Sequence, residues 1–383
     1  MARFFWWMVF LCLVPFSPAW GQENTRPQLQ TRPAGPEKVP PGGTDRQIIL
    51  DVQVTDRTGA AVRGLQKQDF SLLDDRRTQK ILSFQAVDPG TQAVKGATPA
   101  ANGTTLSSSA GTAAPPVEIV LVVDAVNASF KDVAYGQGQI KKFLLQNGGR
   151  LAQPVSLMVV TDTGTKILEE GSRDGKAVAA VYDSYQTGLR FLNRRTQGFL
   201  AASECFDISL RAIAELAQHE QERPGRKLMM WISPGWPILS GPDVDLTTQD
   251  QDALFNSIVD VAGGLRQARV TLYSIDPLGV EDAGGTWIVF YKEFLKPVSS
   301  PSHALPGNLA LQVFAEQSGG RVFNASNDVT TAIAQAAADA EVYYTLSFNA
   351  HSADEPEEYH TLQVKVDRPG IKIRTRVGYY AQP

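Results

Sequence analysis

The sequence predicts an α/β protein: a doubly wound, mostly parallel sheet, flanked in the chain by antiparallel β segments able to pair into a small β-sandwich. Two patterns carry this. Between residues 117 and 341, near-continuous apolar runs alternate with stretches of helical periodicity, as strands covered by helices on both faces require. Before residue 89 and after residue 341, apolar residues recur at every second position, the mark of antiparallel strands with one dry and one wet face.

From the N-terminus, Arg3 precedes an apolar run from Phe4 to Phe16, then Ser17-Pro18-Ala19-Trp20-Gly21. This is the three-part layout of a secretory signal, with Ala19 and Gly21 at the cleavage site. The run rises about 20 Å as a helix, short of the roughly 30 Å hydrocarbon core, so residues 1–21 are expected to be removed and to leave no stable membrane span. Cys12 follows Leu11 rather than a small residue, which speaks against a lipoprotein anchor. The protein is expected to be exported, either periplasmic or secreted.

Residues 22–46 are rich in Pro, Gly, Gln and charge and residues 89–116 in Gly, Ala, Ser, Thr and Pro, and both hold too little apolar surface to offset the entropy of ordering them. They are expected to form a tether and a flexible linker. Between them, residues 47–88 alternate through Ile48, Leu50, Val52 and Val54, turn at Asp56-Arg57-Thr58-Gly59, and continue as short strands near Phe70 and Ile81.

The α/β part, residues 117–341, has strands at 119–123, 155–160, 228–232 and 270–275 and helical patterns at 133–145, 175–185, 203–221, 250–267, 309–318 and 329–340. Gly319-Gly320 stops a helix before a short strand, Arg321-Val322-Phe323. Residues 277–306 carry Trp287, Phe290, Tyr291 and Phe294, too apolar for a solvated loop; a short helix is expected there. Residues 342–383 return to alternation at Tyr344, Leu346 and Phe348 and at Leu362, Val364 and Val366. The two flanking β segments each have too few strands to fold alone. They can form one sandwich with the α/β unit inserted, or two separate attachments.

Cys205 is the only cysteine once the signal is removed, so no intramolecular disulfide forms and a hydrophobic core must suffice; 43% hydrophobic residues supply it. The net charge of −4 becomes −5 without Arg3. A mildly acidic chain without a Lys/Arg stripe argues against nucleic acid as a partner. No Gly-x-Ser-x-Gly elbow presents a nucleophile, the four histidines have no zinc-ligand spacing, and Gly136-Gln-Gly138 lacks the third glycine of a dinucleotide site. Cys205 reads as a buried thiol.

Ligands of an open α/β sheet sit beyond the carboxyl ends of its strands, here Asp124, Thr161-Asp162, Ser233 and Asp276. Asp124, Asn127 and Ser129 could supply oxygens to a hard cation such as Mg²⁺, or could cap a turn and a helix. Asp124, Asn127, Ser203, Ser233 and the loop residue Trp236 are the candidate ligand-binding set.

The chain resembles the von Willebrand factor type A family, in its bacterial, Acidobacteria-type VWFA-related group, over about residues 47 to 380. The resemblance rests on Val52-Gln-Val-Thr-Asp56 with Gly59, Gly64-Leu65 through Asp69-Phe70, Val120-Leu-Val-Val-Asp124 with Asn127, Gly319-Gly-Arg321 and Arg376-Val-Gly-Tyr-Tyr380. It implies a type A, Rossmann-like sheet and a metal-ion-dependent adhesion site of the form Asp-x-Ser-x-Ser, with a later Thr and Asp. Asp124 matches its first position, but Val126 and Ala128 stand at the two serines and Pro234 at the later carboxylate; the loop hydroxyl falls on Ser203 or Thr196. The expectation is a degenerate site, with no cofactor or a weakly bound Mg²⁺, in a non-enzymatic adhesion-type module that binds an unknown protein or cell-surface ligand. The alternative is a secreted hydrolase on the same scaffold.

Overall fold

A computed structural model of the chain describes residues 47–88, 117–185, 198–237, 245–279, 290–351, 353 and 355–381. The expected signal peptide, tether and linker, and Thr196 and Trp287, lie outside these residues.

The chain begins with strands β1 (Gln47–Thr55), β2 (Phe70–Asp74), β3 (Arg77–Gln79) and β4 (Ser83–Val87). The α/β part then contributes β5 (Glu118–Asp124), β6 (Arg150–Thr161), β7 (Gly164–Asp174), β8 (Lys227–Ile232), β9 (Val270–Ile275) and β10 (Val322–Phe323). Its helices are α1 (Phe130–Leu144), α2 (Gly175–Ser184), α3 (Gly198–Gln221), α4 (Thr248–Gln267), α5 (Leu311–Gln317) and α6 (Val329–Ala337). Strands β11 (Tyr343–Asn349), β12 (Glu358–Val366), β13 (Lys372–Arg374) and β14 (Gly378–Ala381) complete the chain.

The six-stranded sheet has the order β10-β9-β8-β5-β6-β7. Every residue of β5, β8 and β9 is buried, as their unbroken apolar runs demand. Alternate side chains feed two cores. Val120, Val122, Met229, Trp231 and Leu272 pack with Phe206, Ile213, Ile258 and Phe314 of α3, α4 and α5. Leu121, Val123, Leu228, Met230 and Tyr273 pack with Ile140, Val178 and Ile333 of α1, α2 and α6. Each such side chain contributes about 1.5–3 kcal/mol on burial, which makes this two-faced sheet the rigid base of the molecule.

One strand of the six-stranded sheet escaped the sequence reading. The edge strand β7 pairs antiparallel with β6 and has no buried residue along its length; Lys166, Glu169, Glu170 and Arg173 give it the charge of an edge that resists further pairing. The short helix expected within 277–306 is, among the described residues, three 3₁₀ turns, Tyr291–Phe294, Pro301–His303 and Pro306–Leu309. Pro297, Pro301 and Pro306 interrupt any longer helix, while Tyr291 and Phe294 are buried against Ala310 and Val313.

The flanking strands form two four-stranded antiparallel sheets, β13-β1-β11-β4 and β14-β12-β2-β3. Both interleave strands from before residue 89 with strands from after 342: β1 and β4 pair with β11, and β2 with β12. Ile48, Leu50, Val52, Leu72, Leu346, Phe348, Leu362 and Val364 share the core between the sheets. The pairings follow the inserted arrangement rather than two separate attachments.

A buried polar network joins this sandwich to the α/β unit. Asp51 on β1 accepts from Arg269 at 2.7 Å, and Asp339 accepts from Tyr273 and from Arg374 on β13, both at 2.6 Å. Arg226 donates to the carbonyl of Asp339 at 2.9 Å and stacks over Tyr343. Where α5 meets β9, Gly320 lies so close that a Cβ there would stand 1.7 Å from the Leu272 carbonyl oxygen; only glycine fits.

Candidate functional site

The apolar run of β5 ends on Asp124, whose side chain is wholly inaccessible to solvent. Oδ1 accepts from the backbone N–H groups of Val126 at 2.9 Å and Asn127 at 2.8 Å. Oδ2 accepts from Asn127 Nδ2 at 2.8 Å, Ser233 Oγ at 2.8 Å and the Trp231 indole Nε1 at 3.1 Å. A carboxylate offers about four lone-pair positions, so these five donors saturate it.

Surrounding elements hold the donors. Trp231 lies inside β8 and Ser233 just after it; the Ser233 hydroxyl also accepts from Gly235 N–H at 3.1 Å. Asn127 Nδ2 reaches Ser209 Oγ on α3 at 2.7 Å, and Ser209 donates to the Cys205 carbonyl at 2.7 Å. The loop from β5 to α1 is thereby tied to β8 through the Asp124 carboxylate and to α3 through the Asn127 amide.

Of the residues singled out from sequence, Asp124, Asn127 and Ser233 converge here. Ser129 instead caps α1, in a reciprocal box with Asp132, the bland role open to it. Ser203 sits half-buried on α3; among the described residues no hydrogen bond joins it to Asp124, and Ser209, six residues on, is the α3 hydroxyl that reaches the loop. Trp236 is not an exposed anchor: it is 4% exposed, edge-on to Trp231 with centroids 5.3 Å apart and close to Phe314. Gly235, at φ +105°, turns the chain back so that the indole lands on α5, a reversal that a sequence does not display.

The residues present do not fit an Mg²⁺ ion. A hard cation needs several free oxygens, whereas both oxygens of Asp124 are engaged by donors, Val126 and Ala128 are apolar and buried, and Asn127 Oδ1, buried without a partner among the described residues, supplies only one neutral oxygen. Phe130, in the first turn of α1, is 61% exposed beside the loop that Asp124 organises. The sequence signal was available, an aromatic residue directly after the Ser129 cap.

Cys205 is fully buried, His219 pairs with Glu170 at 2.7 Å and His351 with Gln79 at 2.7 Å. A Ser–His contact, Ser300 Oγ to His303 Nδ1 at 3.1 Å, lies within a single exposed turn. The histidine that sequence spacing gave no reason to single out is His360, which meets Asp74 at 3.1 Å and Asp75 at 3.5 Å.

No family model matches the chain, and no curated protein sequence matches it. Among solved structures, the human COPII-coat protein Sec24c aligns at 8% identity over 70% of this chain and 44% of its own, with a TM-score of 0.31. The pilus adhesin SpaC from Lactobacillus rhamnosus GG aligns at 9% identity over 70% and 44%, with the same TM-score of 0.31. The VWA domain of SpRpn10 aligns at 10% identity over 51% of this chain and 94% of its own, with a TM-score of 0.21. The chain thus spans less than half the length of the first two. Among the described residues no helix is long and apolar enough to cross a membrane.

Proposed function

We propose that this is an exported, non-enzymatic protein-interaction module that grips a protein ligand at the carboxyl edge of its six-stranded sheet, without a metal ion. The observation that carries the reading is the Asp124 hub: Asn127, Trp231 and Ser233 donate to the one oxygen Oδ2, so neutral donors fill the place where an adhesion site of the resembled family would hold its cation. The loop to α1 is then fixed in the free protein, and fixing a loop in advance lowers the entropy cost of binding. It presents Phe130, and a rigid aromatic side chain at such an edge is the kind of group that anchors a protein contact. The layout of residues 1–21 supports export, and an exported module would meet its ligand in the periplasm, the medium or on a cell surface.

The test is binding to the envelope and secreted proteins of the source organism, followed by photo-crosslinking from position 131, the exposed neighbour of Phe130, and, as control, from position 365 on the sandwich. The expected result is one crosslinked partner from position 131, retained in EDTA and lost when Phe130→Ser is added. A partner that requires Mg²⁺, or that binds Phe130→Ser as well as the native chain, contradicts the reading.

A further inference from the structure

A second polar cluster lies in the sandwich, remote in sequence from the sheet edge. Strand β2 ends on Asp74 and turns through Asp75 and Arg76, both at positive φ (45° and 68°), into β3, the two-residue turn that matches strand twist. The turn is pinned to β12: Asp75 N–H donates to the Thr361 carbonyl at 2.9 Å, and Thr361 N–H to Asp75 Oδ1 at 2.8 Å. This brings His360 Nδ1 within 3.1 Å of Asp74 Oδ1 and 3.5 Å of Asp75 Oδ2. The ring is stacked on Tyr379 of β14, with centroids 5.1 Å apart, and the Tyr379 hydroxyl donates to Asp74 Oδ2 at 2.8 Å.

Three features set this cluster apart from an ordinary ion pair. Asp74 and His360 are 1% and 6% exposed, yet among the described residues no Lys or Arg pairs with either carboxylate, so two negative groups converge on one imidazole nitrogen. His360 Nε2 is buried without a partner among the described residues, so every polar contact of the ring converges on Nδ1, where the Tyr379 hydroxyl also lies 3.4 Å away. Finally, ligands about 2.1 Å from a tetrahedral ion stand about 3.4 Å apart, and the two N···O separations, 3.1 and 3.5 Å, bracket that edge. The side chain of Asp75 is 42% exposed, which leaves an entry path and a position for water.

We propose that Asp74, Asp75 and His360 bind one divalent transition-metal ion of the Zn²⁺ class, through one imidazole nitrogen and two carboxylate oxygens, with Tyr379 orienting Asp74. An imidazole ligand selects such an ion over Mg²⁺ or Ca²⁺, and the outer hydrogen bond from Tyr379 is the support that metal-ligating carboxylates use. The ion clips the β2–β3 turn to β12, across 286 residues of sequence, and so closes the sandwich around the inserted α/β unit. The site is independent of the carboxyl-edge reading.

The full chain, stripped with a chelator, is titrated calorimetrically with Zn²⁺ and with Mg²⁺ and melted with and without Zn²⁺, beside Asp75→Asn, His360→Gln and, as control, Glu215→Gln on the exposed face of α3. Asp75→Asn is the decisive variant, because its side chain is exposed and Asn tolerates positive φ, so it folds even if His360→Gln does not. One equivalent of Zn²⁺ that raises the melting temperature is expected, with affinity at least about tenfold weaker in Asp75→Asn and retained in Glu215→Gln. Absence of Zn²⁺ binding, a smaller loss in Asp75→Asn, or equal binding of Mg²⁺ overturns the proposal.

Discussion

Asp124→Ala separates a hydrogen-bond hub from a metal ligand. Truncation leaves the Trp231 indole N–H and the backbone N–H groups of Val126 and Asn127 buried without an acceptor, whereas Asn127 Nδ2 keeps Ser209 and the Ser233 hydroxyl can rotate. Three stranded donors at about 1–3 kcal/mol each give a gross cost of about 3–9 kcal/mol. Loss of the carboxylate's own desolvation penalty and local relaxation bring the net to about 3–5 kcal/mol, the usual range for breaking a buried charged network. At about 2–4 °C per kcal/mol this is a fall in melting temperature of roughly 10 °C. Asp124→Asn rescues little, because its amide nitrogen would face other donors. A carboxylate that waits for a cation behaves in the opposite sense: in EDTA its removal relieves repulsion and leaves stability unchanged or raised. The assay is chemical denaturation in EDTA followed by tryptophan fluorescence, with the midpoint read at unchanged slope. A change of less than about 0.5 kcal/mol, the range of an ordinary surface substitution, or a gain in stability would refute the hub.

The remaining expectations concern packing and pH. Gly320→Ala forces a methyl into the Leu272 carbonyl and should lower stability by more than about 3 kcal/mol or abolish soluble expression; a native-like thermal melt would contradict it. Asp339→Ala strands Arg374 and the Tyr273 hydroxyl and should cost about 3–5 kcal/mol in the same denaturation assay, with a loss under about 1 kcal/mol counting against the junction as described. Glu220, fully buried, has its carboxyl pushed above the usual range by desolvation, which outweighs the nearby Arg223. Such a carboxyl binds its proton more readily in the folded state, so stability falls as pH rises from the unfolded value through the raised folded one. Glu220→Gln should therefore gain stability over the native chain at neutral pH and not at pH below the unfolded value, as read from melts across that window; a gain independent of pH would show another cause.

Hydrophobic period made most of the architecture legible, because burial on two faces and on one face write different patterns. The unbroken runs of β5, β8 and β9 are buried at every position, and the alternating β1 and β11 meet Leu50 to Leu346 in register. Strand β7 was hidden for the same reason: an edge strand with no buried residue leaves no apolar mark. At the carboxyl edge, chain position identified Asp124 and its immediate partners. Its state is set by Trp231, 107 residues away in sequence, and by Ser209, 82 residues from Asn127. No motif spacing encodes those contacts. Trp236 and His360 teach the same lesson in opposite directions: a loop tryptophan becomes core once Gly235 reverses the chain, and a lone histidine gains two carboxylates once β2 pairs with β12.

Hydrogen–deuterium exchange of the peptide from Asp124 to Tyr135, in EDTA and in saturating Mg²⁺, tests the pre-ordered edge most directly. If five hydrogen bonds to Asp124 fix the loop, the amides of Val126 and Asn127 are strongly protected in EDTA and Mg²⁺ changes nothing. Rapid exchange in EDTA with protection restored by Mg²⁺ would mean that an ion, not the hydrogen-bond hub, builds the binding edge.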